Sequence, residues 1–481
     1  MSEATSTGPT LAGQLSQFAQ DAFQDGVPPA VSASVRQRVL DILGLCVGAH
    51  RLPTSQAALD YVAAQGGTGR AHVVGLPEPV TAAHAAFGNG VLAHSLDYDD
   101  THLPSILHPS ASVVPAALAA AEASKASGED LIRAVAVGLE VAVRLGMAGY
   151  DRTLGNSTFF EHGQHATSIC GAMGSGVAAA LLLGADAAAV QHTLGITASM
   201  ASGIIEANRT GGTVKRLHCG WAAQSGVTAA ELVGHGFTGP PTVLEGRFGF
   251  FEAFLHGLFD PDEITRDLGV TWSIPDIFFK PYPANHFTHA IIDGGLALRA
   301  KGIRPADVTR ATVAVPAAVI RTIGQPIEVK RAPETGYQAQ FSAPYALTAG
   351  LFGGGGLGVG LDDFSDELAQ DPARRTLMSH VEVIPDARLD AIFPSQFPAI
   401  VRVWTTDGAE HVEEVLANRG GNQRPLSDDE LALKFEDTAG PWLPADVVRE
   451  VQTQVRHLDQ LPDIGAVMQH LRNLVPPATR Q

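Results

Sequence analysis

Asp97, Asp99, Asp100, Thr101, His102 and His108 crowd into the stretch from Gly88 to Pro109, GNGVLAHSLDYDDTHLPSILHP, with His94 just ahead of them. Carboxylates and imidazoles gathered this way can take, hold and return protons near neutral pH. Helical spacing of about 3.6 residues per turn predicts Asp97 and Thr101 on one face with His94 close by, and Asp99 and Asp100 pointing elsewhere. Pro104 predicts that the helix ends soon after Thr101. Acid clusters at helix ends are ordinarily solvated faces or caps, so the stretch by itself supports either use.

Three further polar islands interrupt the Ala/Gly-rich sequence. In the first, Gly163 to Thr167 (GQHAT), His165 falls at a predicted helix N-terminus, where free N–H groups favour an anion and disfavour an imidazolium. Capping is the plain alternative there. The second, Arg209 to His218 (RTGGTVKRLH), places Arg209, Lys215 and Arg216 at the mouth of a helix. Cations there work against the helix dipole, which suggests another use, the gripping of carboxylates. A solvated loop is the alternative. The third, Phe279 to His289 (FKPYPANHFTH), is stiffened by two prolines while Lys280, Tyr282, Asn285, His286 and His289 project from it. Such a segment is poor core material and suits a cleft between domains.

The elements that must position these islands follow from hydrophobic periodicity. Helices are predicted over residues 11–23, 32–50, 54–64, 82–98, 109–126, 130–145, 165–183, 186–205 and 217–234. Near Trp272 the character changes. Residues 311–319 and 380–384 read as strands, and 399–405 with 411–415 across Asp407–Gly408 is the clearest hairpin signal. Helices are predicted between them at 290–300 and 343–351. The Gly-rich run 353–360 lacks a phosphate-binding spacing and reads as a loop. Helices return at 428–435, 445–459 and 464–474 with no core of their own. The fold class is therefore mainly α: a large all-helical domain built from residues 1–272 and 417–481, with a smaller α+β domain, residues 273–416, inserted as a lid.

Composition narrows the function. At 481 residues the chain is too long for one core, and its net charge of −18 argues against nucleic acid and anionic membrane surfaces as partners. Cys46, Cys170 and Cys219 are scattered without metal-ligand spacing and read as buried thiols in a reducing compartment. The uncharged runs 165–184 and 187–205 are diluted by Gly, Ser, Thr, Gln and His, and read as buried helices rather than membrane spans. The first ten residues, MSEATSTGPT, carry no secretory pattern, so a cytoplasmic protein is expected.

Taken together, the islands resemble the MmgE/PrpD family, which includes 2-methylcitrate dehydratase, cis-aconitate decarboxylase and iminodisuccinate epimerase. The resemblance is carried by HSLDYDDTH at 94–102 with His108-Pro109, G-x-H-x-T at 163–167, T-x-K-x-x-H at 213–218 and KPYP at 280–283 with His289 following. It runs over nearly the whole chain. It implies a helical domain plus a lid domain, a homodimer, and a site between the domains that uses no cofactor and no metal. It also implies that Asp97, Thr101, His108, His165, Lys215 and Lys280 hold the family's active-site positions. Family dehydratases often carry Cys-Cys-Arg after KPYP; here the run is Ala284-Asn285-His286, closer to the epimerase branch. Arg209 stands where Asn is common in epimerase-like sequences.

The expected chemistry is proton transfer at carbon beside a carboxylate, with fixed positive charge stabilising the carbanion that develops. Lys215, Lys280 and Arg209 would hold the carboxylates of a di- or tricarboxylate, with His218, Tyr282 and His286 as further substrate contacts. His165 or His108 would act as acid or base, Asp97 would orient a histidine, and Thr101 would position the substrate. A dehydratase- or decarboxylase-like lyase is the leading expectation and an epimerase the alternative. Three other classes compete. A D-x-D-D cyclase reading of Asp97–Asp100 conflicts with an aromatic content of 6%. A metal-dependent hydrolase or lyase would use Asp99, Asp100 and His102 as ligands. A non-enzymatic helical assembly protein leaves Lys215 and Lys280 without a purpose.

Overall fold

The computed structural model describes residues 9–207 and 212–475. The chain divides into two compact units, residues 1–277 with 439–481, and residues 278–438. The second unit is thus inserted into the first, and the fold is mainly helical, with a four-stranded sheet in the inserted unit and a two-stranded pair, Tyr150–Asp151 with Asn156–Ser157, in the first. The divisions fall at Ile277/Phe278 and Thr438/Ala439. The helix Asp428–Ala439, expected with the helical domain, lies in the inserted unit up to Thr438, because Leu431 is buried in a core shared with Leu347, Val313 and Val401. Periodicity shows which face of a helix is apolar, not which core receives it.

The helical unit is built from close-packed small residues. Every residue of the helix Ala166–Leu182 is buried, which accounts for the long uncharged run there, and no helix of the described residues is long and apolar enough to cross a membrane. The helices Ala82–His94 and Val214–Gly234 approach almost backbone to backbone at Gly90 and Gly220. A Cβ on Gly90 would lie 2.8 Å from the Cys219 carbonyl oxygen, and one on Gly220 would lie 2.6 Å from that of Phe87. Larger residues at either position would force apart the helices that bring His94, Lys215 and His218 together.

The helix Ala82–His94 opens on Thr81, whose hydroxyl accepts from the His84 N–H, and stops at His94, four residues short of the predicted end. Ser95 donates its hydroxyl to the Val91 carbonyl at 2.6 Å, and Asp97 adopts φ +52°, a left-handed conformation that Asp tolerates better than most residues. Asp97 and Thr101 therefore do not share a helical face; they sit on a turn that folds back over the helix end. Side-chain hydrogen bonds local to residues 91–99 compete with the helix here, and hydrophobic periodicity is blind to them.

That turn is anchored by a buried ion pair. In the helix Pro29–Ala49, Arg38 lies on the same face as buried Val31, Val35 and Ile42. Its guanidinium donates to Asp100 Oδ2 at 2.6 Å and to the carbonyls of Ile274 at 3.1 Å and Ile277 at 2.7 Å. Asp100 also accepts from the Ser110 backbone N–H at 3.2 Å and from the Ser110 hydroxyl, at the start of the helix Ser110–Ser124. One arginine thus joins a helix, the turn, the next helix and the segment 274–277.

In the inserted unit, a four-stranded sheet runs in the order 381–385, 308–315, 399–405, 410–415, with the first pair parallel and the others antiparallel. The hairpin pairs Ala399 with Val415 and Trp404 with Glu410, and Asp407 closes it by accepting from the Ala409 N–H at 3.1 Å. The helices His289–Ala300 and Ala343–Phe352 share its core, contributing Ile291, Ile292 and Leu347. The Gly-rich loop wraps an anion of its own: Asp363 Oδ2 accepts from the N–H groups of Gly355 at 3.0 Å and Gly360 at 2.8 Å.

Removing one partner of a buried ion pair leaves the other charge uncompensated, a loss of about 3–5 kcal/mol. Arg38→Met is expected to destabilise the helical unit by that amount in urea unfolding. The double variant Arg38→Met/Asp100→Leu is expected to recover most of the loss. A single-variant loss below about 1 kcal/mol, the size of an ordinary surface effect, would remove the pair from its anchoring role.

Candidate active site

The turn and three helix ends gather a histidine cluster inside the helical unit. His94, the last residue of its helix, bonds through Nδ1 to Asp99 Oδ2 at 2.8 Å, and both side chains are fully shielded from solvent. The His94 ring centroid lies 5.3 Å from that of His108 and 6.1 Å from that of His165. His165 is the residue before the helix Ala166–Leu182, yet its side chain makes no capping bond. Its Nδ1 instead lies 2.9 Å from Nδ1 of His218, which comes from the helix Val214–Gly234. The capping alternative fails because the His165 ring is turned toward a second imidazole.

The hydrogen positions follow from the acceptors. His108 Nδ1 is 2.7 Å from the Asp100 carbonyl and 3.2 Å from Thr101 Oγ1, and a carbonyl only accepts, so His108 carries its hydrogen on Nδ1. The His108 backbone N–H donates to Thr167 Oγ1 at 3.2 Å, tying the loop to the His165 helix. His94 likewise carries a hydrogen on Nδ1, toward Asp99. Between His165 and His218 one ring supplies the hydrogen and the other the lone pair, so the two cannot both be cations without losing the bond.

The cationic side is set by the start of the helix Val214–Gly234. Lys215 Nζ lies 3.3 Å from Asp97 Oδ1, both partly buried, and Arg216 donates to the Ser95 carbonyl at 3.2 Å. The two cations in the first turn, unfavourable for their own helix, thus meet oxygens of the turn at 95–97. Lys215 and His218 are three residues apart and share a helix face. Burial pushes His165 well below the usual imidazole range, and the charges of His218, His94, Lys215 and His108 push the same way. His218 is held down at about 4, by burial first and then by His94 and Lys215.

Of the residues singled out from sequence, Asp97, Thr101, His108, His165, Lys215 and His218 belong to this cluster. Arg209 lies outside the described residues. Lys280, Tyr282 and His286 lie in the inserted unit. Lys280 is buried there, 2% exposed. Tyr282 is fully buried, its hydroxyl donating to Asp293 Oδ1 at 2.5 Å and accepting from Arg419 at 3.2 Å, so it ties that unit together rather than offering a free hydroxyl. His286 packs against Phe278, Phe397 and His289. Asp99, Asp100 and His102, weighed as metal ligands, are turned to His94, to Arg38 with Ser110, and to Ser105 respectively. Among the described residues no three His, Cys, Asp or Glu side chains converge as a metal set.

His94 and Asp99 stand out in the sequence as part of the ionisable stretch, and Asp99 as a possible metal ligand, but their pairing with each other depends on where the helix stops. Arg38 had a signal of another kind, an arginine at a position that the period of its helix assigns to the core.

Neighbouring imidazoles edged by a lysine–carboxylate pair are groups whose chemistry suits proton transfer on anionic substrates. The chain belongs to the MmgE/PrpD family: residues 13–261 match the MmgE/PrpD N-terminal domain and residues 282–460 the C-terminal domain. It is 30% identical to cis-aconitate decarboxylase from Homo sapiens, over 82% of this chain and 80% of that protein. It is 29% identical to the Mus musculus enzyme of the same name, over 81% and 78%. It is 25% identical to cis-aconitate decarboxylase from Aspergillus terreus, over 96% of each chain. These relationships make it an enzyme of the lyase class.

His218 and His102 both sit at about 4 in the folded chain against an ordinary value of 6.5. Between about pH 6.5 and pH 4 the unfolded chain therefore binds more protons, and stability falls as pH falls through that window. Urea unfolding of the helical unit at about pH 7 and pH 5 is expected to show a lower midpoint at the acid value. His218→Asn, which cannot titrate, is expected to reduce the difference and leave the part due to His102 and His165; an unchanged slope would show that His218 is not held neutral.

Proposed function

We propose that the chain decarboxylates a small polycarboxylate of the cis-aconitate kind, in a site that recruits no cofactor and no metal. The observation that carries this is the run of neighbouring rings His108, His94, His165 and His218, with centroids 4.8–6.1 Å apart, and the Lys215–Asp97 pair at the start of the His218 helix. Loss of CO2 leaves an electron pair on carbon, and that pair needs a proton from a group held nearby and positive charge to steady it. The histidines supply the first and Lys215 the second.

Lys215 exchanges Asp97 for a substrate carboxylate in this scheme, and Asp97 keeps the lysine placed until substrate arrives. Thr101 acts through the hydrogen it shares with His108. Lys280 is a second cation for the substrate and His286 a neighbour of it, both assigned on the family resemblance; Arg209 is assigned on the same ground. Tyr282 is dropped from substrate contact because its hydroxyl is engaged with Asp293. A homodimer belongs to the same proposal. Val214, Leu217 and Trp221, spaced 3 and 4 residues apart on one helix and each 39–40% exposed, form an apolar stripe that a second copy would cover. A cytoplasmic setting fits three buried, unpaired cysteines.

Proton NMR of cis-aconitate incubated with the protein in D2O is expected to show CO2 loss with one deuterium placed on carbon. Addition of water across the double bond would indicate a dehydratase running in reverse, and exchange of carbon-bound hydrogen without loss of CO2 would leave proton transfer but exclude decarboxylation. His165→Ala is expected to lower kcat by about 10²–10⁴, the range for losing general acid–base help. Lys215→Met is expected to lower kcat/KM by about 10–100-fold, with kcat reduced as well as KM raised, from the loss of a hydrogen bond to a charged group worth about 1.5–3 kcal/mol. Wild-type rates in either variant would remove that residue from the scheme.

A further inference from the structure

We propose that His94 and Asp99 form a working dyad in this site, with Asp99 as a positioning residue and His94 Nε2 as the atom that exchanges a proton with the substrate. The choice of substrate rests on the decarboxylase reading; the dyad itself rests on geometry.

Asp99 Oδ2 holds the Nδ1 hydrogen of His94 at 2.8 Å, and neither side chain is exposed. The bond fixes the ring's orientation and its tautomer, leaving the lone pair of the neutral ring on Nε2. His94 Nε2 is buried and has no hydrogen-bond partner among the described residues. A buried polar atom without a partner is unfavourable, a penalty relieved when a ligand group arrives. The ring that carries it is flanked by His108 at 5.3 Å and His165 at 6.1 Å, with His218 beyond His165. The Lys215–Asp97 pair edges the same cluster. His108 Nδ1 is engaged with a carbonyl and His165 with His218, whereas His94 is backed by a carboxylate, which stabilises the imidazolium that an acid–base cycle must form.

The C–C bond to the departing carboxylate breaks, its electron pair stays with the substrate, and CO2 leaves. The pair takes the hydrogen from Nε2–H of protonated His94. His94 is left neutral with Nδ1–H still on Asp99, and one proton from solvent resets it.

A purely structural bond, tying the turn at 95–99 to the helix end, is the competing explanation, and two isosteric changes separate them. In His94→Asn the amide nitrogen takes the place of Nδ1, so the bond to Asp99 is kept and only Nε2 is lost. The expected result is wild-type circular dichroism and melting, with kcat lowered by about 10²–10⁴ and KM within about threefold. Wild-type kcat in His94→Asn overturns the proposal. In Asp99→Asn the amide donates to Nδ1 and moves the ring hydrogen to Nε2, the wrong tautomer. The expected result is a lowered kcat, a changed pH profile, and an Nε2–H tautomer in imidazole 15N spectra. An unchanged tautomer and profile overturn it.

If the wild-type protein leaves cis-aconitate intact, the substrate reading fails on its own. The dyad is then decided by citrate: addition is expected to shift the His94 Nε2 resonance, and no shift at saturating citrate sinks the dyad as well.

Discussion

The buried pair of Arg38 and Asp100 is the constraint on which the site depends. Two charges taken out of water are costly unless each is fully hydrogen-bonded. Here the guanidinium meets one carboxylate and two carbonyls, and the carboxylate meets two donors of Ser110. Such a pair can be satisfied in few geometries, so it specifies where the turn after the helix Ala82–His94 must lie. Asp99 is the next residue along the chain and His108 bonds to the Asp100 carbonyl. Fixing Asp100 therefore fixes the support of two histidines at once, one through its neighbour and one through its own backbone.

A dry interior does the rest. The Ala- and Gly-rich helices pack closely, and His94, His165 and His218 are buried among them. In that medium an imidazolium is disfavoured unless a carboxylate stands beside it. Burial and mutual repulsion hold His165 and His218 toward the neutral form, and the bond between their Nδ1 atoms admits a single hydrogen. His94 has Asp99. Four rings of one type are thereby given different hydrogen-bonding partners: a carboxylate for His94, a backbone carbonyl for His108, and each other for His165 and His218.

Much of this was legible in the sequence because the relevant physics is local or periodic. Helices with a long apolar period, such as Ala166–Leu182, and the hairpin around Asp407–Gly408 were readable from spacing and turn chemistry. The islands at 97–108, 165 and 215–218 were readable because polar and cationic residues are conspicuous in Ala-rich surroundings. What escaped was non-local or competitive. The end of the helix at His94 turns on side-chain bonds of Ser95 and Asp99 that oppose helix propagation, so the predicted shared face of Asp97 and Thr101 was lost. The pairing of Arg38 with Asp100 spans 62 residues, and no pattern within a window reports such a partner. The ownership of the helix Asp428–Ala439 was hidden for the same reason, since an apolar face does not name its core.

These supports also explain how one frame serves related reactions. Decarboxylation, dehydration and epimerisation share a carbanion-like stage beside a carboxylate and differ in what leaves or returns. A scaffold whose rigid parts are a buried ion pair, a close-packed helix crossing and a carboxylate-backed histidine fixes the proton's position without fixing the leaving group. The parts that meet the leaving group can then vary without disturbing the support beneath. The run Ala284-Asn285-His286, where family dehydratases often carry Cys-Cys-Arg, lies in the inserted unit, where Asn285 caps the turn at 286–288 through its side-chain oxygen. Divergence in substrate is expected where the chain can change without reopening the core, and the proton-handling machinery is expected to stay where the core holds it.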